Sequence, residues 1–504
     1  MDKLTFHLHN FDSLERHQFK LYVKSSVSKK ESKLSEVLEL FYKGYTSKSI
    51  CETVYGSYPN AGYYALRKRL MVLLLEYFAY EKGKELNAKE NEIRLHFDAG
   101  KNLVLHKSYK LGFYHLTKAL EKSKQNDFYT LTHEIVLELI QVAHLSKSLN
   151  VKKLIEEHKN YRELRVKQDT IAYAYAEVKE TLNTYFLNSQ ETSALKEIES
   201  IFKKYQLNFQ EDLNYRTLYQ LSQLLLATST VTKNFVKELE SLEAIAQRII
   251  VAREPKNFNQ WIFKFKLLYL FASSNYRAKK FKKSNDYLIR ILKLSKTKSV
   301  ALSHELHFKI VVLKSLNINY LGENSQAFEV LNDLLKTSKL PKSNKNWLDG
   351  FGVMSMILFH GKKYSSVVKL YHDLKKSDSE LIKIIGLEWV LRKNLILILT
   401  HFELGNIEIC EELITRFEVD NQRFLSEHQR VLFFIICIQK VVSNPFQAQN
   451  SHFHRFVESK LEKKPRYEED IFVLSFFAWL KAKMLGEEVY ESTIGIVENL
   501  GNEI

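Results

Sequence analysis

The sequence has 504 residues, of which 45% are hydrophobic and 27% charged, a composition typical of a folded soluble protein rather than of a disordered chain. Its 15 glycines and 5 prolines are too few for a fold built on tight turns, so the composition favours long helices. The formal net charge of +16 is compatible with a nucleic-acid or acidic protein partner, but a chain rich in lysine, asparagine, isoleucine and tyrosine also reaches this charge without one.

Several features predict a soluble cytoplasmic protein. The N-terminus has no cationic start followed by an apolar segment, so no secretory signal is predicted. The longest apolar runs, such as residues 431–438, are far shorter than the roughly 18 residues that a membrane span needs. Cys51, Cys410 and Cys437 form no metal-ligand pair and no disulfide framework.

Residues 1–90 are predicted to form a separate N-terminal helical domain. After two amphipathic helices, the pattern indicates a short helix over 47–55, a turn containing Gly56 and Pro59, and a longer helix that begins near Asn60. This order resembles a helix-turn-helix, in which basic residues early in the second helix contact DNA. The candidate DNA contacts are Arg67, Lys68 and Arg69.

The same long helix also fits a second interpretation. Its apolar residues form one stripe, which suits packing in a bundle that caps the following repeats or forms a dimer, with the three basic residues in solvent. The stripe consists of Leu66, Leu70, Leu73, Leu74 and Tyr77. Both interpretations stay open from the sequence.

Residues 91–504 are predicted to form a second, all-helical domain. Apolar residues recur every three to four positions almost throughout. The one stretch with strand-like alternation, residues 171–178, is flanked by helical patterns and is predicted to lie within a long helix. Short polar breaks between helices are predicted at residues 227–234, 253–260, 339–347, 441–450 and 462–470.

A turn pattern recurs in this second domain. Gly322 is predicted to end one helix, and Ala327, five residues later, to begin the buried face of the next. Gly405 and Cys410 repeat this spacing. Similar turns are predicted at Lys279, Gly361, Gly486 and, much earlier, Gly112. A spacing of about 40 residues between four of the turns predicts stacked helical hairpins.

With these turns, the chain resembles the tetratricopeptide-repeat (TPR) superfamily, whose turn pattern is G-x-Y-x-x-A. Gly322 and Ala327 match its ends, but Asn324 replaces the aromatic residue; Gly112 and Tyr114 match its first two positions, with Thr117 in place of alanine. The resemblance implies a right-handed TPR-like helical-hairpin solenoid behind the N-terminal bundle. It also implies a role in holding a peptide or a partner helix.

No catalytic or cofactor motif is recognisable. Phosphate-binding glycine loops and the H-E-x-x-H zinc motif are absent from the sequence. His304 and His307 can share a helix face, but two histidines without a third ligand do not predict a metal site. We therefore expect a protein that is not an enzyme and that has no cofactor or metal.

The segment 277–298 is strongly basic, with nine cationic residues and one acid, Asp286. On one edge of the repeats they would form a strip suited to an acidic protein segment or to nucleic acid; otherwise they are solvated lysines of helix exteriors. The candidate contacts are Arg277, Lys279, Lys280, Lys282, Lys283, Arg290 and Lys293. A later segment adds Lys336, Lys339, Lys342 and Lys345.

The sequence thus predicts a non-catalytic scaffold or adaptor that binds a protein or peptide on its repeats. The alternative is a transcriptional regulator with an N-terminal DNA-binding segment and a TPR-like sensor domain. A third hypothesis is RNA binding along residues 277–298.

Overall fold

The fold is taken from a computed structural model of the chain. The structure describes residues 4, 7–8, 11, 13–26, 32–79, 88–146, 149–188, 194–208, 212–231, 235–460 and 470–502. The chain divides into two compact units, residues 1–167 and 168–504.

All regular structure in the described residues is helical, as the sequence predicts. The first unit contains α1 (Ser13–Ser26), α2 (Ser32–Tyr42), α3 (Ser47–Tyr55), α4 (Ala61–Tyr77), α5 (Ala88–Leu105), α6 (Tyr109–Gln125), α7 (Tyr129–Val142) and the start of α8 (Val151–Asn188). The 38 residues of α8 include 171–178, so the predicted long helix there is confirmed.

The second unit continues with α9 (Ala194–Lys204), α10 (Tyr215–Val231), α11 (Phe235–Ala252), α12 (Phe258–Arg277), α13 (Phe281–Thr297), α14 (His304–Tyr320), α15 (Asn324–Thr337), α16 (Lys345–His360) and α17 (Tyr364–Leu374). It ends with α18 (Asp378–Ile385), α19 (Leu387–Glu403), α20 (Ile407–Asp420), α21 (Gln422–Glu427), α22 (Gln429–Ser443), α23 (Ser451–Lys460), α24 (Ile471–Leu485) and α25 (Val489–Asn502).

Three of the predicted breaks contain connections between helices. The break at 253–260 overlaps the connection between α11 and α12, and that at 339–347 overlaps the connection between α15 and α16. The break at 441–450 contains a short 3-10 helix, Pro445–Gln449. At 227–234 the prediction is wrong in part, because α10 continues to Val231. Residues 461–469, which hold most of the last predicted break, lie outside the described residues.

Helices α1–α4 share a core of their own. Phe19, Val37, Phe41 and Tyr63 are fully buried in it, and the predicted stripe of α4 packs there with Leu70, Leu73, Leu74 and Tyr77 buried and Leu66 half-buried. The short helix and the long helix occur where the sequence predicts them. Asn60 caps α4 by accepting hydrogen bonds from the N–H groups of Gly62 and Tyr63.

Six helical hairpins with a buried residue five positions after their turn share one turn, which also occurs at Gly44, Gln206 and Ser299 in the described part of the chain. A residue with positive φ follows the first helix; its N–H donates to the carbonyl three residues earlier, and the next N–H donates to the carbonyl five residues earlier. This is the Schellman arrangement, which satisfies carbonyls at the helix end. The turn residues are Lys107, Asp127, Lys279, Gly322, Lys362 and Gly405. The last four are spaced at about 40 residues, so the predicted hairpin repeat is confirmed.

The residue five positions after each turn residue is buried in all six hairpins. The six are Gly112, Thr132, Ser284, Ala327, Val367 and Cys410. This residue is the fourth of the second helix in each hairpin and lies in its first turn. A small or compact side chain at this position lets the two helices approach closely, which is the physical basis of the spacing found in the sequence.

Two predicted turn residues are wrong. Gly112 lies inside α6, and the turn that precedes it is at Lys107, whose φ is 61°. A Cβ on Gly112 would lie 2.6 Å from Val104 Cγ2, so glycine is needed there for close helix packing. Gly361 ends α16 with a φ of −80°, and Lys362 has the positive φ of 56°. Lysine can occupy this conformation because the surrounding hairpin compensates the modest strain.

One continuous core runs through α13–α25. It contains buried residues from Phe281 to Val497 and joins the tandem hairpins to the C-terminal pair α24 and α25. Helix α24 is apolar nearly all round its circumference, and Phe476, Trp479 and Leu480 are buried in this core. A helix with this pattern lies inside a protein rather than on its surface. Helix α24 is therefore an interior element of the second unit.

Candidate functional site

The predicted basic strip is largely paired with a neighbouring helix. Lys280 forms an ion pair with Glu240 at 2.5 Å, and Lys283 pairs with Glu243, which is buried and also accepts a hydrogen bond from Asn275 Nδ2 at 2.6 Å. Both acids belong to α11, which the segment 277–298 alone could not reveal. These pairs connect stacked helices, so their lysines serve the fold.

The remaining residues of the strip divide into two groups. Arg277 stacks over the ring of Phe235 at 5.0 Å, Lys279 is 5% exposed at the hairpin turn, and Arg290 donates to Gln247. In contrast, Lys282 and Lys293 are exposed, and neither forms an ion pair with a carboxylate in the described part of the chain. The structure therefore does not bring the seven cations together as one accessible surface. Binding of a partner along this strip stays a prediction.

The three basic residues of α4 also differ from one another. Arg67 donates to Ser47 Oγ at 3.1 Å and lies over the Tyr63 ring, and Ser47 and Tyr63 share a 2.8 Å hydrogen bond. Arg67 thus joins α3 to α4. Lys68 and Arg69 are exposed. Of the predicted trio, only these two present accessible side chains.

Helix α24 contacts three successive hairpins through residues spaced four apart. Ser475 Oγ lies 3.3 Å from Tyr320 OH on α14 and 3.5 Å from Met356 Sδ on α16. Trp479 Nε1 donates to Glu403 Oε1 on α19 at 2.6 Å, and Lys483 pairs with the same carboxylate at 2.7 Å. The first helices of the hairpins thus form a surface that binds a helix.

The start of α24 is held by a charged and an aromatic contact. Arg392 of α19 pairs with Asp470, which caps α24, at 3.1 Å. The Arg392 guanidinium also lies over the ring of Phe472, 5.4 Å from its centroid. A cation on the hairpin surface therefore binds an acid followed closely by an aromatic residue.

Helix α25 completes this contact through a buried hydrogen-bond network. Tyr490 OH donates to the Asn319 carbonyl at 2.5 Å. Asn324 Nδ2 donates to Asn319 Oδ1, so Asn319 Nδ2 is free to donate to His360 Nδ1 at 3.1 Å. His360 must accept at Nδ1 and carry its proton on Nε2. Burial lowers the pKa of His360 to about 3, so it is neutral in the folded protein.

A second surface on the first helices is open. We call it the aromatic–cationic face; it consists of Arg216 and Tyr219 on α10, Phe263, Lys266 and Tyr269 on α12, Lys309 on α14, and Lys345 and Asp349 on α16. Arg216 and Lys266 both lie over the Phe263 ring, at 5.9 Å and 5.1 Å from its centroid. The Tyr219 and Phe263 rings are 6.1 Å apart. Cations and rings thus alternate across neighbouring hairpins.

Asp349 lies near cations of this face. Asp349 is exposed, yet burial raises the pKa of its carboxyl, against the opposing effect of the positive charges of Lys345, Lys309 and Arg392. Burial likewise raises the pKa of Tyr269 to about 12, although its side chain is only half-buried. Because Arg392 acts on Asp349 and also pairs with Asp470, this part of the face lies near the start of α24.

Four cations on this face are available for a partner. Arg216, Lys309 and Lys345 are exposed and Lys266 is half-buried. Among the described residues, none of the four forms an ion pair, whereas Lys280 and Lys283 of the predicted strip do. Of the four, only Lys345 belongs to a basic segment that the sequence reveals; Arg216, Lys266 and Lys309 lie singly on different helices.

A cleft of about 260 Å³ lies between α18, α19 and α20. Its polar groups satisfy one another: Lys393 pairs with Asp378, Asn394 donates to Asp378 at 3.0 Å, and Arg416 pairs with Asp420 at 3.4 Å. The lysine and the amide hold the pKa of Asp378 below its usual range, although burial raises it. The contacts of Lys393 and Asn394 with Asp378 attach α18 to α19, whereas the pair of Arg416 and Asp420 lies within α20.

No reactive centre is apparent in the described residues. They contain no group of three or more histidine, cysteine or acidic side chains that could hold a metal ion. His304 and His307 are both exposed on α14. Burial raises the pKa of the Cys410 thiol to about 11 and that of Cys437 to about 12, so these thiols are not nucleophiles at neutral pH. No described helix is long and apolar enough to cross a bilayer.

The comparisons with known proteins give no family. No protein-family model matches this sequence, and no curated protein matches it either.

Proposed function

We propose that the protein is a non-catalytic helical-repeat scaffold that binds a partner protein on the first helices of its tandem hairpins. One observation carries the proposal: these helices bind α24 through three successive hairpins, with Ser475, Trp479 and Lys483 as anchors. Helix-in-groove recognition between proteins uses the same regularly spaced anchors. The hairpin surface has the chemistry needed to hold a segment of another protein beside its own helix.

The proposal includes a right-handed, TPR-like stacking of the hairpins and a location in the cytoplasm. The recurring turns at about 40-residue spacing support the first, and three buried cysteines without disulfides are compatible with the second. The position of α24 limits where a partner can bind. Its apolar circumference makes its release into water costly, so a partner is expected to bind beside α24 rather than to displace it.

The experiment is affinity purification of the tagged full-length chain from cells that produce it, after in-cell crosslinking, with mass spectrometry and mass determination of the native complex. A scaffold is recovered with at least one partner in stoichiometric amount, crosslinked to residues of α10–α16. Recovery as a monomer with no crosslinked protein would refute the scaffold function.

A DNA-binding regulator is the second candidate. The short helix α3, the turn and the long helix α4 with exposed Lys68 and Arg69 favour it. Duplex DNA should bind the full-length chain with an affinity that falls steeply with salt, and the double variant Lys68→Ala, Arg69→Ala should weaken binding and reduce the salt slope. Arg67→Ala should instead lower stability, because Arg67 joins the two helices. DNA binding that is unchanged in the double variant would exclude this role for α4.

A further inference from the structure

The aromatic–cationic face is positively charged, and this charge determines which partners can bind. Its four cations form no ion pair among the described residues, and the one carboxylate of the face, Asp349, lies near Lys309 and Lys345. The face therefore carries a net positive charge. A partner must therefore bring negative charge, and it gains most where that charge meets Lys266, Lys309 and Lys345.

The rings on this face call for apolar or aromatic side chains as well. Phe263 is half-buried between Arg216 and Lys266, with Tyr219 beside it. An aromatic side chain of the partner that packs here would bury apolar surface and lie against the two cations. A partner therefore needs a negatively charged residue and an aromatic residue close to each other.

The neighbouring contact with α24 provides a template for this chemistry. There Arg392 binds Asp470 and stacks over Phe472, two residues later. Arg392 also acts on Asp349, so this contact adjoins the open face. At Arg392 the hairpin surface thus holds an acid and an aromatic residue of its own chain. The aromatic–cationic face lies next to this contact and has the same kinds of side chain.

We propose that the aromatic–cationic face binds an acidic segment of a partner protein that carries aromatic residues between its carboxylates. This inference rests on the proposed scaffold function and names the class of partner. Single-stranded RNA also combines negative charge with flat rings. Asp349, which lies near Lys309 and Lys345, would repel a continuous phosphate backbone, whereas a peptide can place its carboxylates at the lysines and a neutral residue at Asp349.

The test uses the purified full-length chain and fluorescence polarisation. The probe is a fluorescein-labelled peptide in which glutamate alternates with phenylalanine; the comparison probes carry glutamine or lysine in place of glutamate, and a labelled uridine oligonucleotide represents RNA. The acidic peptide should bind, its affinity should fall with salt, and both comparison peptides should bind at least about tenfold more weakly.

Matched variants locate the binding. The double variant Lys266→Glu, Lys309→Glu should weaken binding of the acidic peptide by at least about tenfold. The double variant Lys282→Glu, Lys293→Glu makes the same change in charge at exposed lysines outside the face, and it should change binding less than about twofold. Thermal unfolding checks that all variants fold, and Phe263→Leu tests the ring while keeping an apolar side chain; it should weaken binding by a few-fold.

Three results would overturn the inference: no binding of the acidic peptide, equal losses in the two double variants, or face-dependent binding of the oligonucleotide but not of the peptide. The scaffold function is separable from all of these. If the tagged chain retains a stoichiometric partner in cells and the Lys266, Lys309 variant leaves that complex intact, the scaffold function stands and this site falls. If no partner is recovered while the acidic peptide binds, the scaffold function falls and the site stands.

Discussion

Replacing Trp479 by alanine tests the position of α24 inside the hairpins. The Trp479 side chain is fully buried, its ring packs edge-on against Phe402 at 5.4 Å, and its Nε1 donates to Glu403 Oε1 at 2.6 Å. Loss of a buried tryptophan typically costs about 3–5 kcal/mol, from lost transfer energy and the cavity left behind. Lys483 stays paired with Glu403, so the carboxylate keeps one partner and the upper part of this range is not expected to be exceeded.

Trp479→Phe separates packing from hydrogen bonding. Phenylalanine retains most of the apolar contact with Phe402 but cannot donate to Glu403, and a hydrogen bond to a charged group contributes about 1.5–3 kcal/mol. Leu485→Ala is the control, because Leu485 lies at the end of the same helix and is 51% exposed; it should cost less than about 0.5 kcal/mol.

The measurement is urea unfolding followed by circular dichroism, with the free energy of unfolding taken from the transition of residues 168–504. We expect the order of destabilisation Trp479→Ala, then Trp479→Phe, then Leu485→Ala. If Trp479→Ala is no more destabilising than the control, α24 does not pack against α19, and the argument that it occupies the hairpin surface is refuted.

Further predictions concern the turns, the ion pairs and pH. Gly322→Ala places a side chain at a φ of 95°, where no atom lies nearby, so backbone strain alone should lower the free energy of unfolding by about 1 kcal/mol. Lys107 has a φ of 61°, so Lys107→Gly should leave the stability in thermal unfolding unchanged or raise it. Lys283→Ala leaves the buried carboxylate of Glu243 without its cation and should lower the free energy of unfolding in urea by about 1–3 kcal/mol. Lys282 is exposed, so Lys282→Ala should change the stability little. Equal effects of the two substitutions would contradict the internal pairing. The pKa of His360 is about 3 in the folded protein and 6.5 in the unfolded chain, so the unfolded chain binds more protons between these two pH values. The free energy of unfolding should therefore fall by about 1.4 kcal/mol per pH unit as the pH drops below 6.5. If His360→Gln shows the same pH dependence as the wild type, His360 is not its cause.

The double variant Lys282→Glu, Lys293→Glu also tests the basic strip that the sequence predicts as a binding site. Lys282 and Lys293 belong to the strip that the sequence singles out, and they are exposed without an ion pair in the described residues. If reversing the charge of these two lysines abolishes binding while reversing that of Lys266 and Lys309 does not, the strip, and not the aromatic–cationic face, is the binding surface. The experiment therefore compares the sequence-based site with the structure-based site directly.

Local features of the fold follow from the sequence alone. The helix over 47–55, the cap at Asn60 and the hairpin turn at Gly322 are set by side chains within a few residues of one another, so short-range chemistry specifies them. The two wrong turns have the same explanation. Gly112 and Gly361 are glycines for close packing against Val104 and Asn324, and such a contact cannot be told from a turn without the neighbouring helix.

The candidate site was predicted less well, because charge on a surface depends on what lies opposite. Lys280 and Lys283 form a conspicuous basic run, but α11, 40 residues earlier, places Glu240 and Glu243 beside them. Nothing in the run itself indicates this. Conversely, the cations of the aromatic–cationic face are scattered singly along four helices, so no local window of the sequence contains them.

The all-helical fold and the repeating hairpin with its buried residue five positions after the turn can be read from the sequence, because helix periodicity and turn chemistry are local. Three features emerge only from the packing of distant helices: α24 lies against the first helices of three hairpins, much of the basic strip is paired internally, and Lys309 and Lys345 lie near Asp349. Burial and pairing depend on residues distant in the chain, and stacking of the hairpins brings those residues together.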